Sequence, residues 1–205
     1  MKNADKKPPT HVTPTPLGEG QGETPSANGD PMDRYQPPRS ALTKLDWIKF
    51  YRSIGWVPIP IHDVSTGYCS CKLNQGCTSL GKHPRVTREA ANQANEETWR
   101  RWLADWPNMN IGILTGTESG IFVIDIDPRH GGDDSIQELV KKFGKLPRTL
   151  TASTGGGGRH FVYQIPSTET VKSSANVIAN GVDVRGEGGI IVVEPSKTSG
   201  DYKWL

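Results

Sequence analysis

The stretch "GIFVIDIDPRHGG" (residues 120–132) sets an apolar run, Ile121 to Ile124, directly before Asp125 and Asp127, and Pro128 then ends the strand. Val, Ile and Phe in succession suit a buried β-strand. Ionised carboxylates are costly to bury unless they are paired or bind a cation. Side chains at i and i+2 of a strand share a face, so Asp125 and Asp127 project together from the end of a strand built for the interior. Adjacent carboxylates repel one another unless a cation lies between them, and hard divalent ions such as Mg²⁺ prefer oxygen ligands. A second reading is equally open: Asp127 starts an Asp-Pro turn while Asp125 pairs with an arginine.

Outward from this strand, "NIGILTG" (110–116) reads as a neighbouring strand joined to it by a short Gly-containing turn. Upstream, Leu42, Leu45, Ile48 and Ile54 keep helical spacing, with Gly55 as the cap. "WVPIPI" (56–61) reads as a strand kept at a sheet edge by its prolines. Asn95 caps a second helix whose Trp99, Trp102, Leu103 and Trp106 share a face. Downstream, a helix is expected from about Asp134 to Phe143, followed by strands at 150–154, 159–165, 181–185 and 189–194. Helices come early and strands mostly late, so the class is α+β.

Residues 1–40 hold 8 of the 16 prolines, few large apolar residues, and five basic against five acidic side chains. Such a stretch buries too little surface to offset its ordering entropy and reads as a disordered tail before a domain at 41–205. It lacks the pattern of a secretory signal, and no apolar run approaches a membrane span, so a soluble, cytoplasmic protein without a membrane partner is expected. The chain stops at "GDYKWL", soon after a strand pattern, and is expected to end within or at the edge of its domain. A net charge of +2 is too small to argue for nucleic-acid binding from composition.

Three further segments carry chemistry. In "GVDVRGEGGIIVVEPS", Asp183 lies within a strand and could add a third carboxylate to the pair, making a cluster able to hold two metals; alone it reads as a surface residue. In "STGGGGRHFVY", four glycines leave backbone N–H groups room to approach phosphate oxygens, and His160 could donate to one; the plainer reading is a flexible hairpin. No Lys-Ser/Thr follows, so this is not a Walker A loop. "YCSCKLNQGCTSLGKHPR" (68–85) gathers Cys69, Cys71, Cys77 and His83, a set suited to tetrahedral zinc, with a reduced metal-free loop as the alternative. Lys82 and Arg85 stand beside it, where they could meet phosphate.

Taken in order, "GKHP", "NIGILTG", "VIDIDPRHGG", "LPRTLTASTGGGGRHFVY", "GVDVRGEGGIIVVEPS" and the closing G-D-Y-K-W resemble the primase-polymerase family of the archaeo-eukaryotic primase superfamily, from about residue 44 to the end. The resemblance implies an RRM-like catalytic sheet beside a smaller N-terminal α/β lobe, with the active site in the cleft between them. It implies a template-directed nucleotidyltransferase in phage, plasmid or mobile-element replication. The partners would be a DNA template and primer, dNTPs or NTPs, and a replicative helicase. By position, Asp125, Asp127 and Asp183 match the acids that hold Mg²⁺ or Mn²⁺, and His160 matches a nucleotide-phosphate histidine. Arg159, Arg129, Arg185, Lys82 and Ser196 would be the further nucleotide contacts. Zinc on the cysteine loop would be structural. The chain departs from the pattern where "EPS" (194–196) replaces "PPS", and where Gly158 and Arg159 replace a serine near the histidine. A metal-dependent nuclease and a non-catalytic zinc-bearing DNA-binding module are the alternatives.

Overall fold

The computed structural model describes residues 15–16, 35 and 42–205. The tail assigned to residues 1–40 therefore lies outside the described residues apart from Thr15, Pro16 and Tyr35.

Local chemistry accounts for the helix starts. Thr43 caps α1 (Lys44–Ser53): its hydroxyl accepts from the Asp46 amide, and the Asp46 carboxylate accepts from the Thr43 amide at 2.9 Å. Gly55, just past the helix end, sits at φ +85°, a left-handed conformation that favours glycine. Thr87 caps α2 (Arg88–Gln93) and Asn95 caps α3 (Glu96–Asp105). Periodicity does not announce α2, because its six residues bury a single side chain, Ala91. The fourth helix, α4 (Gly132–Phe143), begins two residues before its expected start.

The strands form two antiparallel sheets, which with the helices make the α+β class expected. In the smaller, β3 (Asn110–Leu114) lies between β2 (Pro58–Ile61) and β9 (Ile190–Val193), so the proline-containing strand is indeed at an edge. The larger sheet runs β10 (Lys203–Trp204), β5 (Leu150–Ser153), β6 (Arg159–Gln164), β4 (Ile121–Ile126), β8 (Val182–Arg185), β7 (Ser174–Ala179), and β1 (Thr15–Pro16) also pairs with β6. One expectation is corrected here. Strands β3 and β4 are not paired neighbours; they belong to different sheets, and an isolated bridge, Gly116–Ile121, closes the turn between them. β3 is buried along its whole length between two partners, and the turn after it carries the chain from one sheet to the other.

The two sheets share one core. Ile111, Ile113, Ile191 and Val193 of the smaller sheet meet Ile121, Val123, Leu150 and Val162 of the larger. Trp47, Ile48 and Tyr51 of α1 and Trp99 and Trp102 of α3 close it. Tyr51 stacks on Trp56 at 5.9 Å, donates to the Glu194 carbonyl at 2.5 Å, and accepts from the Trp204 indole at 2.9 Å, which ties the last strand to the first helix. On the reverse face of β4, Phe122 and Ile124 pack with Tyr163 and Val184.

Tyr35, from the stretch expected to be disordered, is only 4% exposed and stacks on Trp56 at 6.3 Å. Replacing a buried aromatic ring by alanine costs roughly 3 kcal/mol. Tyr35→Ala should accordingly lower the melting temperature by several degrees in thermal denaturation. An unchanged melting temperature would show that Trp56 is sealed without it.

Candidate active site

Strand register assembles the site. β4 lies between β6 and β8, and Asp125 is directly opposite His160 on one side and Asp183 on the other. Directly opposed residues share a face. The three side chains therefore stand abreast on the face of β4 that carries Ile121 and Val123 into the core, one alternation further along. There a cavity of about 1000 Å³ opens, lined also by Asp127, Arg129, Arg185 and Tyr202, by Ile190, Ile191 and Val192 of the smaller sheet, and by Lys82 and His83 of the cysteine loop.

The turn-and-arginine reading of the opening acid pair has its counterpart in this geometry. Arg185 Nη2 lies 2.8 Å from Asp183 Oδ2 and 3.3 Å from Asp125 Oδ2. Asp127, one residue past β4, caps the 3₁₀ turn Pro128–His130. Its carboxylate accepts from the Arg129 amide at 3.0 Å, from Arg129 Nε at 2.9 Å and from Nη2 at 2.7 Å, and His130 Nδ1 lies 3.2 Å away. The Arg129 guanidinium holds the Asp127 carboxyl well below the usual carboxylate range.

Two residues set the remaining groups. Asn176, at φ +55°, donates its amide to Asp183 Oδ1 at 2.9 Å while its own side-chain oxygen accepts from the Gly181 amide at 2.8 Å. Sequence reasoning missed it, together with strand β7; the trace was the Asn of "SSAN" (173–176), a residue type that tolerates positive φ. His160 is 4% exposed, its Nε2 lies 3.5 Å from Asp125 Oδ1, and its Nδ1 is buried without a hydrogen-bond partner. Burial pushes its pKa below the usual imidazole value; Asp125 opposes that shift, and Arg185 and Lys82 add to it.

Several expected contacts lie elsewhere. Arg159 neighbours His160 in sequence and so takes the other face of β6, where it pairs with Asp133 at 2.7 Å. Ser196 is 2% exposed, accepts from the Ile111 amide at 2.8 Å and donates to the Ile111 carbonyl at 3.1 Å, so its hydroxyl ties a turn to β3 and is withdrawn from the cavity. Arg85 is half-buried, pairs with Asp63 at 2.7 Å and lies over Trp106 at 5.0 Å, whereas Lys82 does reach the cavity. In the glycine run, the Gly157 and Gly158 amides donate to the Thr154 carbonyl and hydroxyl, each at 3.0 Å, so they are used within the turn. The glycines answer crowding: a Cβ on Gly158 would strike the Ile126 carbonyl oxygen, and one on Gly155 would strike Thr198 and Gly200.

The cysteine loop does converge. One ligand atom from each of Cys69, Cys71, Cys77 and His83 lies within 4.8 Å of the others, and His83 Nε2 is 3.2 Å from Cys69 Sγ and 3.4 Å from Cys77 Sγ. Tetrahedral zinc would set sulfur and nitrogen about 3.5 Å apart, so the donor set fits that ion. Among the described residues the three aspartates do not form a group this tight. The loop is fastened to the body by Asn110, whose side chain donates to Gly81 at 3.2 Å and to Lys197 at 2.9 Å, and by the Arg85–Asp63 pair.

Over residues 48–205 the chain matches Prim-Pol, the bifunctional DNA primase/polymerase N-terminal family, and it belongs to that family. No curated protein matches the chain by sequence. Family membership implies DNA primase/polymerase activity, with nucleic acid and nucleotides as substrates and divalent metals in general use. No helix among the described residues is long and apolar enough to cross a membrane.

The loop's anchor carries a pH signature. Burial raises the Asp63 carboxyl, but hydrogen bonds from Ser65, Ser70 and Arg85 outweigh it and hold the pKa at about 2. A depressed carboxyl stabilises the fold above its unfolded value near 4, and that stabilisation is lost as pH falls through about 2. Urea unfolding at pH 5 and pH 2.5 should show wild type losing about 1–2 kcal/mol more than Asp63→Asn across that interval. Equal losses would remove the carboxylate from the loop's stability.

Proposed function

We propose that this chain is a template-directed nucleotidyltransferase that synthesises or extends primers in the cavity floored by His160, Asp125 and Asp183. The observation that carries the reading is the register of β6, β4 and β8, which sets an imidazole and two carboxylates abreast in a cavity also lined by Arg129, Arg185 and Lys82. On this reading the larger sheet is the RRM-like catalytic sheet, the smaller sheet with the early helices is the N-terminal lobe, and the cavity is the active-site cleft. A primer or initiating-nucleotide 3′-hydroxyl attacks the α-phosphate, and pyrophosphate leaves. The setting is replication of a phage, plasmid or other mobile element, beside a helicase.

The donor chemistry fits a hard cation: the acids offer oxygen alone, and a guanidinium already bridges Asp125 and Asp183. Asp125, Asp127 and Asp183 would hold Mg²⁺ or Mn²⁺, which when bound stabilises charge on the attacking and leaving oxygens. His160 carries its proton on Nε2, toward Asp125, and donates it as a hydrogen bond to a phosphate oxygen. Its buried ring is held by the sheet and orients the phosphate. Lys82, Arg129 and Arg185 take up the triphosphate's negative charge, and the apolar wall of Ile190, Ile191 and Val192 excludes water on one side. The acids alone would also serve a nuclease, but strand cleavage does not require this group of cations.

Primer extension with labelled dNTPs or NTPs and Mn²⁺ tests the assignment. Asp125→Ala should cut incorporation by more than about a hundredfold, the scale of losing a group that stabilises transition-state charge, while circular dichroism stays native. An Asp125→Ala protein that still extends primers would sink it.

Cys69, Cys71, Cys77 and His83 hold one structural zinc on the same reading. With four protein ligands no position is left for water, so the ion orders the loop that brings Lys82 to the cavity. Metal analysis of chelator-free protein should find about one zinc per chain, lost in Cys71→Ser with a lower melting temperature. Much less zinc in wild type, with freely reactive thiols, would leave a reduced loop.

A further inference from the structure

The oxygens of the three aspartates are already engaged. Asp127 Oδ1 accepts from the Arg129 amide and Nε, and Oδ2 from Nη2. Asp183 Oδ1 accepts from the Asn176 amide and Oδ2 from Arg185. Asp125 Oδ2 faces the same guanidinium, and Oδ1 faces His160. Both arginines are held lightly: the Arg129 and Arg185 side chains are 54% and 37% exposed, so each can leave its carboxylate without unpacking a core. The glycine run makes room for one of them, since a Cβ on Gly156 would come within 3.0 Å of the Arg129 guanidinium carbon.

We propose that Arg129 and Arg185 are the site's built-in counter-cations: they occupy the aspartates in the free protein, compete with a divalent ion for them, and transfer to the phosphates of the incoming nucleotide. This rests on the reading of Asp125, Asp127 and Asp183 as metal-holding acids. A guanidinium and a divalent ion cannot use the same carboxylate lone pairs, and the two cations repel each other. The ion alone must therefore displace an arginine that has no new partner. With a triphosphate present, the displaced fork finds bidentate phosphate oxygens in the same cavity. Metal and nucleotide each remove the other's obstacle, so they bind cooperatively, and neither is held tightly without the other.

The test is a split in sign on the full chain. Mn²⁺ alone is titrated and the free ion followed by electron paramagnetic resonance; separately, a labelled dNTP is titrated at saturating Mn²⁺. Arg185→Gln should bind Mn²⁺ about 5- to 150-fold more tightly than wild type, the usual range of a coupling between sites, and bind the nucleotide more weakly. Arg129→Gln, acting on Asp127, should do the same independently should Arg185→Gln prove unstable, with circular dichroism confirming the fold of each. A merely structural arginine would weaken both ligands together, and that result, or unchanged Mn²⁺ affinity, overturns the proposal. Asp125→Asn separates the layers: if it binds Mn²⁺ as wild type does, the metal reading beneath the proposal falls; if it alone loses Mn²⁺ while the arginine variants bind as wild type, only the competition falls.

Discussion

The two-residue alternation of β4 is the constraint from which the rest follows. One face of a single strand carries Ile121 and Val123 into the core shared by both sheets, and then Asp125 into the cavity. A slip of one residue would turn Ile121, Val123 and Asp125 away from that core and cavity and bring Phe122, Ile124 and Ile126 in their place. The core therefore holds the register, and the register sets His160 and Asp183 beside Asp125. Apolar packing at one end of the strand positions polar chemistry at the other.

The cavity has walls from three parts of the chain, so its shape depends on how those parts are fastened. Shared isoleucines and valines join the sheets. Asn110 and the Asp63–Arg85 pair hold the cysteine loop, and Ser196 and Tyr51 hold the segment that returns from β9 to β10. Around the acids, by contrast, the partners are half-exposed arginines. A rigid frame thus surrounds a floor whose charge pairs can be exchanged, an arrangement suited to a substrate that arrives with its own anion and cation.

Much of this was legible in the sequence because it rests on local pattern. The i and i+2 acids, the Cys/His spacing, the Thr/Asn caps and the edge prolines each follow from short-range geometry. What escaped notice depends on long-range pairing. "NIGILTG" and "GIFVIDID" look like one hairpin, yet the first pairs with β2 and β9 and the second with β6 and β8, in different sheets. Ser196 and Arg85 carry polar groups suited to phosphate, but their partners, Ile111 and Asp63, are far away in sequence and turn them into structural ties. Tyr35 sits in a proline-rich stretch and is buried all the same, because Trp56 offers it a ring to stack on. Strand β7 and its Asn176 lack the alternation that would reveal them, since that strand buries almost nothing.

On the proposed function, the row His160, Asp125, Asp183 is where a nucleotide and its metal meet. Crystals of the full chain grown with Mn²⁺ and a non-hydrolysable dNTP test it most directly, read at the manganese absorption edge. Anomalous density is expected between Asp125 and Asp183, with the triphosphate reaching His160. Anomalous density confined to sites outside this cavity, with the nucleotide bound elsewhere, would contradict it.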